Sequence, residues 1–390
     1  MGVGGLKGMV AALLMCAGVV FGQAAVPDNS DPLSIQRAQQ EVFRRAARRV
    51  APCVVTIETI GGTQPVDEPA PRQTLPSGPG DPPGRPPGPE RGPGFIIADG
   101  PTTGLIWSAD GLILTSAFNF VRDPSVITVI LPDGRRFVGE LLARDEVRRL
   151  AMVKIGATGL PVPEWVREAD ALRVGQWALA LGRGFGGEDP SVSAGIISGL
   201  NRKGGVAVQT DAKLSPANFG GPLIDIQGRV LGICVPMGLG NDALAGVEWY
   251  DSGIGFAIPF WQAGKSAESL AVGHNLRRGL LGVQVDPRFK GGVRIRNLAE
   301  PSPASRAGLV AGDVILSFDG KPVREFADLQ RLMSARVAGE KVAVRVRREQ
   351  REMDLTVVLG VPEDMGPMPA LEAETGPTES GPDPSRAQDD

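Results

Sequence analysis

Short strand-like runs, each closed by a turn signal, fill the chain between residues 100 and 260. One set includes Leu112-Ile-Leu114 and Val126 to Leu131, which leads through the turn Pro132-Asp-Gly-Arg135 into residues 136–141. A second set extends from Trp177 to Ile258. Strands of this length at this spacing are typical of β-barrels and β-sandwiches. The pattern therefore predicts a mainly β chain with two successive β units upstream of residue 260.

Residues 279–360 have the pattern of a third, smaller unit. Strand runs at Leu281 to Val285 and Val314 to Phe318 lie on either side of a turn at residues 302–308, and a helical pattern covers Glu325 to Ala335. Such an arrangement indicates a compact β domain with short helices. Residues 263–278, which are helical in pattern and polar, are predicted to be the linker before it.

The segments around these units are biased in composition. Residues 1–24 combine Lys7, an apolar run and small residues before a cleavage site, which is typical of a secretory signal peptide; an uncleaved membrane anchor is the alternative. Pro32 at a first turn predicts a helix over 31–50. The segment 61–94, rich in proline and glycine, and the acidic segment 361–390 cannot bury enough apolar surface to fold, so both are predicted to be disordered.

Composition excludes several classes of function. The formal net charge of −3 gives no electrostatic reason to bind nucleic acid. A single histidine, His274, makes a zinc site implausible, and no cofactor motif is present. Outside the predicted signal peptide only Cys53 and Cys234 remain, which is too few for a disulfide framework. Each lies in an apolar strand-like run, which favours a buried small side chain.

A glycine-rich turn within Gln209 to Asp225 is the most distinctive stretch of the second β unit. Ala217-Asn-Phe-Gly-Gly221 lies between two strand-like runs. Adjacent glycines allow backbone angles with positive φ, as tight turns between strands require. This stretch is therefore a candidate functional loop.

Several separate motifs give the region from about Val50 to Gly360 a resemblance to one family. It resembles the HtrA/Deg serine proteases, in which a trypsin-like double β-barrel precedes a PDZ domain. The resemblance implies a barrel region over 51–262 and a PDZ domain over 279–360. The motifs that carry it include Ser108-Ala-Asp-Gly-Leu-Ile-Leu-Thr115, Leu150-Ala-Met-Val-Lys-Ile155, Gly220-Gly-Pro-Leu223 and Gly253-Ile-Gly-Phe-Ala-Ile-Pro259.

The same resemblance implies that the catalytic residues of the family are missing. The family uses a serine nucleophile, a histidine base and an aspartate that orients the histidine. At the matching positions this chain has Phe118 for the histidine, Arg149 for the aspartate and Phe219 for the serine. Ala217 replaces the glycine whose amide helps to form the oxyanion hole. The sequence thus predicts a protease-like protein that does not cleave.

Residues near the replaced positions leave an alternative open. Nearby candidates are Ser116 and Asn119 beside Phe118, Asp145 and Glu146 before Arg149, and Ser215 before Phe219. An active peptidase with non-standard residues is therefore the second hypothesis. This hypothesis lacks a candidate base, because His274 lies in the predicted linker and is expected to be exposed to solvent.

In the third unit, Leu280-Leu-Gly-Val283 resembles the loop of PDZ domains that binds a peptide carboxylate, and Leu329 and Leu332 are expected to line the groove. The expected partners are peptide C-termini or unfolded proteins, with assembly into homotrimers or into oligomers with an active HtrA homologue. The expected location is secreted or periplasmic.

Overall fold

The computed structural model describes residues 32–61, 100–187, 189–238, 250–286 and 288–367. The predicted signal peptide, nearly all of the predicted loop 61–94 and most of the predicted acidic tail lie outside these ranges. None of the described helices is long and apolar enough to cross a membrane.

The first β unit is a seven-stranded sheet in the order β5-β4-β1-β2-β3-β7-β6. Its terminal strands β5 and β6 are separated in the chain only by Gly139, so the sheet curls until its two edges meet. A Cβ atom at residue 139 would lie 2.7 Å from Cγ1 of Val153, and therefore only glycine fits this corner. The strands are β1 Val54–Ile60, β2 Thr102–Ile106, β3 Leu112–Ser116, β4 Val126–Ile130, β5 Arg136–Val138, β6 Glu140–Asp145 and β7 Leu150–Lys154.

The second β unit is a closed barrel in the order β10-β13-β12-β11-β8-β9. Closure leaves no strand edge unpaired, and every residue of β12 and β13 is buried. The two predicted β units are thus confirmed. The strands of this barrel are β8 Trp177–Gly182, β9 Ser191–Arg202, β10 Ala207–Thr210, β11 Pro222–Ile224, β12 Val230–Val235 and β13 Gly255–Pro259.

The predicted N-terminal helix is α1, Pro32–Val50. Near its C-terminal end Ala46 and Val50 are buried. The Phe43 ring packs edge-on against Trp177 of β8, with 5.3 Å between ring centroids. Arg49 donates to the Glu164 carboxylate at 2.7 Å. The last two turns of α1 are therefore held to the β units by both apolar and ionic contacts.

The predicted linker 263–278 is not a free connector. It begins within helix α2, Phe260–Ala271, whose buried residues Ala263, Ser266, Ala267 and Leu270 recur at the three- and four-residue spacing of one helix face. After the helix, Leu276 forms a parallel bridge with Asp145 at the end of β6. The polar residues that suggested a linker occupy the solvent side of α2, while its small and apolar residues pack inward.

The C-terminal unit is a six-stranded sheet in the order β14-β15-β16-β18-β19, with β17 paired to β16. Leu281, Phe318, Leu329 and Leu332 belong to its buried core. Strand β14 lies at the sheet edge, where it pairs with β15 alone. The elements are β14 Val283–Val285, β15 Val293–Leu298, α3 Pro303–Arg306, β16 Val314–Phe318, β17 Lys321–Pro322, α4 Phe326–Met333, β18 Lys341–Arg348 and β19 Arg351–Val358.

The predicted disordered tail starts too early. Residues 361–367 fold back on the C-terminal unit through a turn of 3₁₀ helix, Pro362–Asp364. The Gly366 N–H donates to the carbonyl oxygen of Pro301 at 2.8 Å. Glu363 accepts two hydrogen bonds from Arg277, each 3.0 Å. The acidic composition of this segment suggested that it is solvated. The partner of Glu363, however, is Arg277, which lies 86 residues earlier and which the local sequence could not reveal.

Candidate functional site

The glycine-rich turn is a short 3₁₀ helix, Pro216–Asn218, that ends at Phe219. The N–H groups of Asn218 and Phe219 both donate to the Ser215 carbonyl oxygen, at 3.0 and 3.1 Å. The Asn218 side chain closes the turn by accepting from the Ser215 N–H at 2.9 Å. Ala217 is not among the residues with positive φ, so alanine is accommodated without the strain that a left-handed position would impose.

Gly220, directly after Phe219, does require glycine. Its φ is +84°, and a Cβ atom there would lie 2.1 Å from the carbonyl oxygen of Thr103 in β2. The Thr103 N–H donates a hydrogen bond to the Phe219 carbonyl oxygen at 3.1 Å, which ties the turn to β2. The turn is therefore fixed against the first sheet by its backbone.

Phe118 and Phe219 pack against each other inside the protein. They are 4% and 2% exposed, and their ring centroids are 5.5 Å apart. Tyr250 completes an aromatic group, with its ring 6.0 Å from that of Phe219. All three pack in the hydrophobic cluster that also contains Leu172 and Leu223 of the second unit. Aromatic pairs at such distances are favourable beyond the apolar area that they bury.

Backbone contacts bring Arg149 to the same place. Phe118 lies in a 3₁₀ turn, Ala117–Phe120, that follows β3. The Ala117 N–H donates to the Arg149 carbonyl oxygen at 2.7 Å. Arg149 itself has a φ of +57°, and burial lowers the pKa of its guanidinium despite the opposing effects of Glu146 and Asp145. The structure thus assembles the three positions that the sequence had singled out.

Asp145, a candidate for a replacement acid, takes part in a buried network of hydrogen bonds. It is fully buried, and its carboxylate accepts from the N–H groups of Val147 and Arg148 at 2.8 and 2.9 Å. It also accepts from Nη1 of Arg148 at 3.1 Å and from the Ser266 hydroxyl at 2.6 Å. A carboxylate with these partners holds the β6–β7 turn to α2 and has no imidazole to orient.

The structure also locates the candidates His274 and Asn119. His274 is exposed just after α2, as expected. Asn119 is buried, and its amide donates to Gly100 and Thr102 at 3.0 and 3.1 Å. Within the described ranges no group of three His, Cys, Asp or Glu side chains could hold a metal ion.

A second candidate site lies between strand β14 and helix α4. It is an open groove of about 400 Å³, mostly apolar in its lining. Five of the six residues predicted for binding line it, whereas Leu332 faces the domain core. Sequence reasoning missed the adjoining face of α4, although spacings of three and four residues could have indicated it. The lining residues are Arg278, Gly279, Leu280, Leu281, Gly282, Val283, Val285, Phe326, Leu329, Gln330, Met333, Ser334 and Met365.

The loop at one end of this groove depends on Gly282. Its φ is +78°, and a Cβ atom there would lie 2.6 Å from Cβ of Ser302. The carbonyl oxygens of Leu281 and Gly282 are held by the N–H groups of Ala304 and Ala299, both at 3.0 Å. The loop is therefore rigidly oriented. Arg278 brings a positive charge to the groove; burial, and then the nearby charge of Arg149, lower the pKa of its guanidinium.

Comparison with known proteins agrees with this architecture. Residues 102–233 match the trypsin-like peptidase domain, and residues 279–359 match the PDZ domain. HhoA of Synechocystis sp., whose name assigns it to the serine proteases, is 33% identical over 88% of this chain and 94% of its own. The chain belongs to the HtrA family. A DegP-like periplasmic serine endoprotease of Ectopseudomonas mendocina is 32% identical over 90% of this HtrA chain and 75% of its own.

Solved HtrA structures share the fold. A variant of the HtrA-type protease AlgW with a decapeptide has a TM-score of 0.59 and 27% identity, covering 85% of this chain and 99% of that chain. The serine endoprotease of Yersinia pestis has a TM-score of 0.56 and 26% identity, covering 82% and 97% respectively. The predicted double-barrel and PDZ architecture is therefore confirmed.

Replacing Phe219 tests how much the aromatic contact stabilises the fold. We expect Phe219→Ala to lower the free energy of unfolding by about 3–5 kcal/mol, because it leaves a cavity beside Phe118. Val272→Ala is the control: Val272 is 67% exposed, and truncating it should change stability by less than about 0.5 kcal/mol. Urea unfolding followed by tryptophan fluorescence measures both. Equal stabilities for the two variants would contradict the packing role.

Proposed function

We propose that this HtrA-family protein is an exported, non-catalytic protein of the cell envelope that binds peptide C-termini or unfolded chains through its PDZ domain. The observation that carries the proposal is the buried contact between Phe118 and Phe219, the residues that the family resemblance predicts at the positions of the base and the nucleophile. An envelope location is supported by the DegP-like periplasmic relatives and by the predicted signal peptide.

The residues at the predicted nucleophile, base and oxyanion positions support the loss of cleavage. A serine hydroxyl is a poor nucleophile without an adjacent base, and a phenylalanine ring can neither attack a carbonyl nor transfer a proton. An oxyanion hole in this fold needs the N–H of the nucleophile residue. At Phe219 that N–H donates instead to the Ser215 carbonyl oxygen. Losing the triad costs about 10⁶-fold in turnover in a serine protease.

A direct assay tests this part of the proposal. We expect the purified full chain neither to cleave β-casein nor to react with a fluorophosphonate probe, while an active HtrA protease assayed in parallel does both. Variants Ser215→Ala and Asp145→Asn should match the wild type in this assay. Cleavage that disappears in either variant would support the alternative, a peptidase with non-standard residues.

Peptide binding is supported by the groove and by the relatives. The AlgW structures contain peptides, and this chain shares their fold. Here strand β14 has one partner strand, so its other edge is placed to add a peptide strand beside α4. The loop at Leu281 and Gly282 lies at the end of that edge, where backbone N–H groups hold a terminal carboxylate in PDZ domains.

Two matched glycine substitutions test binding. Asparagine tolerates positive φ better than most residues, so Gly282→Asn and Gly320→Asn impose similar backbone demands. At Gly320, with φ +73°, nothing lies within 4 Å of the new Cβ atom, whereas at Gly282 Ser302 blocks it. We expect Gly282→Asn to weaken binding of a free-carboxylate peptide at least about tenfold, and Gly320→Asn to leave it unchanged. Fluorescence anisotropy measures both. Equal binding by an amidated peptide would contradict terminus recognition.

We further propose that the chain assembles with copies of itself or with an active HtrA relative through the surface around Phe185. That ring is 86% exposed, at the rim of a large cleft lined also by Pro132 and Gly134. Aromatic residues are enriched at protein–protein interfaces, which supports a contact surface at this ring. We expect Phe185→Ser to reduce the mass measured by light scattering after gel filtration. A monomeric wild type that also fails to co-purify with an active relative would contradict assembly.

A further inference from the structure

Residues 361–367, here named the strap, are anchored beside the PDZ groove by contacts at several points. Arg277 holds Glu363 through two hydrogen bonds of 3.0 Å, and the Gly366 N–H donates to the Pro301 carbonyl oxygen at 2.8 Å. The Asp364 carboxylate accepts from the Val361 N–H at 2.9 Å, which closes the turn. A Cβ atom at residue 366 would lie 1.9 Å from the Glu300 carbonyl oxygen, so the path also requires glycine there.

This path brings one strap side chain, Met365, to the groove. Met365 is part of the groove lining. Its sulfur lies 3.3 Å from the point that a Cβ atom of Gly282 would occupy, and so it rests directly against the loop predicted to bind the carboxylate. Leu281 and Met333 provide further apolar lining from the loop and from α4.

We propose that the strap is a wall of the ligand pocket and that Met365 sets the size of the apolar C-terminal side chain that the pocket accepts. This inference rests on the proposed peptide binding. The ligand class is a peptide with a free carboxylate and an apolar last residue, to match the apolar lining. A methionine side chain suits such a wall, because its unbranched thioether adapts to the shape of an apolar partner.

The strap is a wall rather than an occupant of the groove. Its hydrogen bonds connect it to Pro301, Arg277 and Arg306, which lie outside the groove. Within the described residues no backbone hydrogen bond joins the strap to β14, the strand that a bound peptide would extend. The groove keeps its volume of about 400 Å³ with Met365 in place.

Peptides that differ only in their last residue test the proposal on the full chain. A series ending in Ala, Leu, Phe or Trp is measured by fluorescence anisotropy. For Met365→Ala we expect about three- to tenfold weaker binding of the Leu peptide and a relative gain for the Trp peptide, since apolar contact is lost and space is opened. Met365→Trp should exclude Phe and Trp ends. Val358→Ala, an exposed change outside the groove, is the control and should leave the ranking unchanged.

Charge exchange tests the strap without altering the pocket lining. Arg277→Glu and Glu363→Arg should each weaken binding of the Leu peptide about two- to threefold, and the double exchange should restore it, because the ion pair is exposed and modest in strength.

The outcomes separate this inference from the proposed function. A changed ranking with Met365→Ala supports the wall. An unchanged ranking with binding intact overturns the strap inference alone. Uniformly tighter binding by Met365→Ala also overturns it, because the strap would then be a competitor. If the wild type binds none of the peptides, the proposed function fails and the inference with it.

Discussion

The packing of Phe118 on Phe219 is the contact on which the rest of this structure depends. One ring follows β3 of the first β unit and the other ends the glycine-rich turn of the second, so the pair joins the two units through apolar contact. A catalytic cleft at this place would need exposed polar groups and water. Two buried rings exclude both, and burying each one contributes about 1.5–3 kcal/mol. Apolar side chains in this space stabilise the fold, whereas a catalytic site would require polar side chains there.

The surroundings of this contact are consistent with a structural use. Asp145, four residues before Arg149, forms hydrogen bonds with Arg148 and with Ser266 of α2. Leu276, beyond that helix, then pairs with Asp145 and leads directly into the PDZ domain. The turn after β6 therefore serves to attach the segment that leads into the C-terminal unit. The open groove of that unit, between β14 and α4, has the apolar lining that a peptide side chain would contact.

Much of this organisation could be predicted from sequence. The strand runs, the tight turn at Gly220 and the helix α1 follow from local patterns of apolar, glycine and proline residues. Motif spacing indicated the family and singled out Phe118, Arg149 and Phe219. The burial of α2 and the position of Leu332 were missed, because a local pattern shows that a helix or strand has an apolar face but not which neighbour covers it.

The sequence by itself determined the residue types at Phe118, Arg149 and Phe219, the positions that the family resemblance predicts for the triad. Only the tertiary structure decided what lies there instead: that the two rings pack together, and that the Asp145 carboxylate binds Ser266 of α2. It alone brought Met365 against Gly282. The physical reason is distance along the chain. Phe118 and Phe219 are 101 positions apart, and Asp145 and Ser266 are 121 apart, so these contacts arise from packing of whole units, which local propensity does not encode.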